Sequence, residues 1–204
     1  MHSDDVSQEI AATAARLVVE EGLEFGPAKQ RALRQLGLPK RAGLPSNEQL
    51  EDEVRDYLQL FCADTQPAEL AALRRLAASW MARLAEFRPH LCGAVWRGTA
   101  TKLSNIHLQL YCDDSKSAEI ALLNLGIDYE VGSTKGPRGD QVDVLAIAAP
   151  CRELSENITI ALSILDFDDL RGGLKPDARG RSERGDLNAL TKLMAEAEKE
   201  SRDE

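Results

Sequence analysis

The chain has 204 residues, with 25 Lys+Arg against 34 Asp+Glu, a formal net charge of −9 and 43% hydrophobic residues. Length and apolar fraction suit one globular unit, or one domain with a helical attachment, and the mixture of both charge signs excludes a wholly disordered chain. A pI near 5.0 disfavours nonspecific duplex binding, which needs a cationic surface, and 4% aromatic residues leave few rings for a single-strand stacking platform.

No run approaches the roughly 20 apolar residues of a membrane span. The N-terminus, Met1-His2-Ser3-Asp4-Asp5, is acidic where a signal peptide is basic. A cytoplasmic protein without a membrane partner is expected. Cys62, Cys92, Cys112 and Cys151 are far apart and include no C-x-x-C pair, so buried free thiols are expected rather than a zinc knuckle or redox motif. His2, His90 and His107 form no H-x-x-x-H pair.

Residues 1–88 read as a helical region. Ile10, Ala14, Leu17 and Val18 recur at helical spacing from about Val6 to Glu21, and Gly22 supplies a stop. A second helix is expected from Pro27 to Leu36. Ser46-Asn47-Glu48-Gln49 is a capping box opening a third helix through Leu50, Val54, Tyr57, Leu58 and Phe61. Pro67 begins a fourth, whose stripe of Leu70, Leu73, Leu76, Ala77, Trp80, Met81 and Leu84 is core.

Between Gly26 and Pro45 the chain carries Lys29, Arg31, Arg34, Lys40 and Arg41 with no acid, whereas Glu48 to Asp56 is acidic. Complementary solvated faces explain both runs, and an RNA contact through those five cations is the weaker reading.

At Pro89 the composition changes. Strands are expected at Leu91–Thr99, Ser104–Cys112, Asp128–Val131, Gln141–Ala149 and Asn157–Leu165, with a short helix at Lys116–Asn124 stopped by Gly126 and a flexible hairpin loop at 132–139. One of Asp113 and Asp114 is expected to cap that helix. Residues 89–172 then form an α+β core: a small mixed sheet, flanked by the N-terminal helices and a C-terminal helix. The Gly-, Arg- and Pro-rich stretch from Arg171 to Gly185 reads as a linker, followed by an amphipathic helix capped by Asp186, so that 173–204 is linker plus helix.

In Ser104-Asn105-Ile106-His107-Leu108-Gln109-Leu110 polar and apolar residues alternate. As a strand this puts Asn105, His107 and Gln109 on one face and Ile106, Leu108 and Leu110 in the core. The polar face is either an exposed surface or the wall of a site. Just upstream, Arg97, Gly98, Thr99 and Lys102 offer cations, a hydroxyl and a glycine that permits close backbone approach, groups suited to phosphate. The G-x-x-x-x-G spacing from Gly93 to Gly98 is not a phosphate-binding P-loop, because Thr99 stands where that loop needs lysine.

Gly98-Thr99, the alternating strand and Val142-Asp143-Val144, in that order, resemble the nucleotidyltransferase superfamily of the DNA polymerase β type over about residues 90–170. That family has a strand ending in Gly-Ser or Gly-Thr, then Ser-Asp-hydrophobic-Asp-hydrophobic, then a third acid on a later strand. The resemblance implies a sheet of nucleotidyltransferase type, with Mg²⁺ on carboxylates against a nucleoside triphosphate. It implies catalytic positions at Asn105, His107 and Asp143, the metal at Asp143, and phosphate contacts from Arg97, Gly98, Thr99, Lys102 and Ser104. Asn105 and His107 replace two of the three acids, so a nucleotide- or phosphate-binding protein with weak or lost transferase activity is expected. The alternative is an interaction or regulatory module in which the sheet is a scaffold and the helices contact a protein partner or a second copy.

Overall fold

Apolar spacing builds the first part of the chain as expected. In the computed structural model, which describes residues 3–172, 176–177 and 179–203, helices α1 (Ser3–Glu21), α2 (Phe25–Gln35) and α3 (Asn47–Phe61) bury Ile10, Ala14, Leu17, Ala28, Ala32, Leu50, Val54 and Leu58 in one core. Ser46 Oγ accepts from the Gln49 N–H at 3.0 Å and the Gln49 side chain accepts from the Ser46 N–H at 2.8 Å, completing the capping box. These helices belong to a compact unit, Met1–Leu70 with Thr99–Ser104, and the rest, Ala71–Gly98 with Asn105–Glu204, forms a second. Within the first unit Gly22 has φ 68° and lies so close to the Leu103 carbonyl that an added Cβ would sit 2.7 Å from that oxygen.

Helix α4 (Gln66–Arg83) runs on into the second unit, where its Ala72, Leu73, Ala77, Trp80 and Met81 are buried. Strand β1 (His90–Cys92) is followed by helix α5 (Gly93–Arg97), so the strand expected over Leu91–Thr99 ends after three residues. The glycines decide this. Gly93 at φ 71° breaks the extended run, and Gly98 at φ 86° returns its N–H to the Ala94 carbonyl at 2.9 Å as a left-handed helix cap, overriding the strand preference of Val95 and Trp96.

Strand β2 (Ile106–Cys112) leads to α6 (Lys116–Asn124), then β3 (Glu130–Lys135), β4 (Gln141–Cys151), β5 (Glu156–Asp166), α7 (Asp169–Gly172), β6 (Arg184–Gly185) and α8 (Leu187–Asp203). The sheet order is β3-β4-β5-β2-β1-β6. Its β2–β5 pair is parallel and its other pairs are antiparallel, which makes the chain α+β with a mixed sheet. Ile106, Leu108 and Leu110 are buried on one face, as their alternation requires. The hairpin loop is shorter than expected. Strand β3 continues to Lys135, and Gly136 donates to the Asp140 carbonyl at 2.7 Å to close the turn.

The C-terminal stretch is more than a linker. Asp177 accepts from the Arg179 and Arg181 backbone N–H groups at 2.9 and 2.8 Å, and the chain then enters the sheet as β6, pairing Arg184 with Cys92 and Gly185 with Leu91. Part of the expected linker, 173–175 and 178, lies outside the described residues. Asp186 caps α8 by accepting from the Ala189 N–H at 2.8 Å, and Leu190 buries that helix against β1 and β6. Among the described residues no helix is long and apolar enough to cross a membrane.

Candidate functional site

Strand register assigns each candidate residue to a face. His107 pairs with Ala161 of β5, which pairs with Ala146 of β4, and Gln109 pairs with Ser163, which pairs with Val144. Directly opposite residues share a face, so His107, Gln109, Ser163 and Val144 lie together, and all four are half-buried. Asp143, next to Val144, therefore points to the other face, and it pairs with Ser133 of β3.

Asp143 is exposed and belongs to an acidic cavity of about 550 Å³, lined by Asp113, Asp114, Asp140, Asp166 and Asp169, where Arg138 pairs with Asp169 at 2.7 Å. Its charge helps raise the Lys116 pKa, after the larger effect of the Glu119 hydrogen bond and charge. Asp114 accepts from the Lys116 N–H at 2.9 Å at the start of α6, the capping role expected of one of that acid pair.

The expected trio thus does not converge: Asn105 precedes β2, His107 is on the polar face, and Asp143 is on the other. An imidazole on one face and a carboxylate on the opposite face do not fit Mg²⁺, whose hard charge requires oxygen ligands gathered in one place. Among the described residues no group of three or more His, Cys, Asp or Glu side chains is placed to hold a metal ion.

The expected phosphate contacts are divided between the two units. Arg97 lines a cavity of about 410 Å³ together with Cys92, Gly93, Gln109, Thr134, Lys135, Ser163, Glu183 and Arg184. Gly98 is the helix cap. Thr99, Lys102 and Ser104 belong to the first unit and do not line that cavity. Thr99 is buried, the Lys102 N–H bonds the Glu69 carboxylate at 2.9 Å, and Ser104 Oγ accepts from the Thr101 N–H at 3.0 Å. The last two contacts hold the turn.

A close approach is seen at Gly93. A Cβ added there would stand 3.4 Å from His107 Cδ2, and Gly93 itself lines the cavity. Across from it, Arg184 Nη1 donates to Gln109 Oε1 and to the Tyr111 hydroxyl, and the Tyr111 hydroxyl donates to Gln109 Oε1 at 3.1 Å. Burial pushes the Tyr111 pKa up to about 12, with the Arg184 charge acting in the opposite direction. The Arg184 guanidinium stands 5.8 Å from the centroid of the Tyr111 ring, and His90 meets that ring edge-on at 5.4 Å.

Sequence reasoning missed Lys135, Glu183 and Arg184, because they stand in segments whose composition reads as loop. In a chain of net charge −9 the cavity gathers Arg97, Lys135 and Arg184 against one carboxylate, Glu183. Such a lining attracts anions and repels cations.

The RNA reading of the basic run meets an obstacle at Lys29. This residue is buried and donates to the Pro45 carbonyl and to Asn47 Oδ1, both at 2.7 Å, so its ammonium secures the α2–α3 connection. Arg31 pairs with Glu21 at 2.5 Å.

No family model, no curated protein and no solved structure matches the chain.

Proposed function

We propose that the protein binds a phosphate-bearing ligand of the nucleotide class in the cavity on the polar face of β2 and β5, and that fixed cations hold it in place of a divalent metal. The observation that carries this reading is the convergence of Arg97, Lys135 and Arg184 on one cavity of an acidic protein. Gln109 and Ser163 add neutral hydrogen-bonding groups on the same wall, and Gly93 also lines it. A hydrogen bond between a charged group and its partner contributes about 1.5–3 kcal/mol, so two such contacts give useful affinity without a metal.

The resemblance to nucleotidyltransferases supports the nucleotide class, and the separation of Asp143 from His107 supports weak or lost transfer. Titration with each ribonucleoside triphosphate, with EDTA and then with Mg²⁺, tests the reading. Binding in EDTA is expected. Absence of any heat or thermal shift under both conditions overturns it.

A second reading concerns the helical unit. Leu60 and Phe61 at the end of α3 are 73% and 64% exposed, an apolar pair suited to a protein partner or a second copy. Comparing the solution mass of the chain with that of Leu60→Ser/Phe61→Ser tests it: a dimer that becomes a monomer supports this reading, and a monomer in both cases opposes self-association.

A further inference from the structure

The short segment Ser182–Gly185 stands against the cavity and is anchored at three points. Trp96 Nε1 donates to the Ser182 carbonyl at 2.8 Å, Arg184 pairs with Cys92 in the sheet, and Gly185 lies against the Trp96 ring so closely that an added Cβ would be 2.2 Å from Cη2. This segment brings two opposite charges to one ligand cavity. Arg184 is held on the polar face by Gln109 and Tyr111, whereas Glu183 pairs with Arg97 at 3.4 Å. The Glu183 side chain is 59% exposed, and an ion pair as exposed as this adds little stability and is readily exchanged.

Resting on the reading above, we infer that this segment sets the ligand class: Arg184 is a built-in binding cation for a polyphosphate, and Glu183 is an internal anion that competes with it for Arg97. The lining gathers Arg97, Lys135 and Arg184 against the single lining carboxylate of Glu183, a charge suited to two or more adjacent phosphate groups rather than to a monoanion. The charge is supplied by the chain itself, so binding needs no divalent ion. Under this scheme Mg²⁺ competes with the cavity for the ligand and weakens binding.

The test is calorimetric titration of the full chain with inorganic pyrophosphate and tripolyphosphate in EDTA, with acetate and inorganic phosphate as controls. Wild type is expected to bind the polyphosphates and not acetate. Arg184→Gln is expected to weaken binding by roughly tenfold or more, with partial recovery in Arg184→Lys, which keeps the charge. Glu183→Gln is expected to strengthen it several-fold, and that gain is expected to vanish in an Arg97→Gln background, which separates competition at Arg97 from a general charge effect. Thermal melts of each variant establish folding, and a variant that does not fold is replaced by the Glu183→Gln and Arg97→Gln cycle. Polyphosphate binding that is indifferent to Arg184→Gln and to Glu183→Gln overturns the inference while leaving the phosphate reading standing. Binding that appears only with Mg²⁺ overturns it too, and no polyphosphate or nucleotide binding under any condition overturns both.

Discussion

Asp143 and His107 lie on opposite faces of the same sheet, on strands separated by β5. Because Asp143 faces the other side of the sheet and does not line the cationic cavity, Asp143→Asn is expected to change nucleotide affinity by less than about twofold, within the effect of a single exposed surface charge. Asn105→Asp with His107→Asp adds negative charge at β2 and just before it without recruiting Asp143. That double variant is expected to bind the nucleotide more weakly in EDTA. Calorimetry of the three proteins checks both outcomes, and a large loss in Asp143→Asn would place the ligand in the acidic cavity instead.

Gly185 has no room for a side chain beneath Trp96. Gly185→Ala must move either the indole or β6, and overpacking of this kind costs about 1–3 kcal/mol. For a chain of this size that is a melting-temperature decrease of roughly 2–12 °C. In a Trp80→Phe background, which leaves Trp96 as the fluorophore, the emission is also expected to shift.

Tyr111 provides a pH signature for the same face. Its folded pKa is raised to about 12, so the unfolded chain loses that proton first, and the corresponding stability, present below about pH 10, is lost as pH rises toward 12. Absorbance titration near 295 nm is expected to show a late-ionising tyrosine that Tyr111→Phe removes. Arg184 opposes the shift, so Arg184→Gln is expected to push that ionisation later still.

Lys29 distinguishes structure from nucleic-acid contact in the basic run. Lys29→Ala leaves the Pro45 carbonyl and Asn47 Oδ1 without this donor, and a loss of about 1–3 kcal/mol in denaturant unfolding is expected. The loss is expected to persist at high salt, because the ammonium is buried.

What the chain showed before folding was local. The capping box at Ser46 and Gln49, the stop at Gly126, the cap at Asp186 and the alternation through Ile106, Leu108 and Leu110 depend on residues within a turn or a strand of one another, and each is present in the structure. The face on which Asp143 falls depends on register across β4, β5 and β2, whose partners are separated by long stretches of chain and carry no pairwise signal. Helix α5 was hidden because Val95 and Trp96 favour strand, while the left-handed positions of Gly93 and Gly98 follow from tertiary placement. Strand β6 has two residues, too few for any periodicity, and its place beside β1 rests on the Trp96–Gly185 fit. The cavity was legible only through Arg97 and Gln109, since Lys135, Glu183 and Arg184 read as loop.

Metal-free phosphate binding in the cationic cavity is tested by a crystal structure of the full chain with a ribonucleoside triphosphate in EDTA. Phosphate density is expected in the cavity, within hydrogen-bonding distance of Arg97 and Arg184, with no metal peak and with Glu183 turned away from Arg97. An empty cavity with nucleotide bound elsewhere, or phosphate held through a metal beside Asp143, would contradict it.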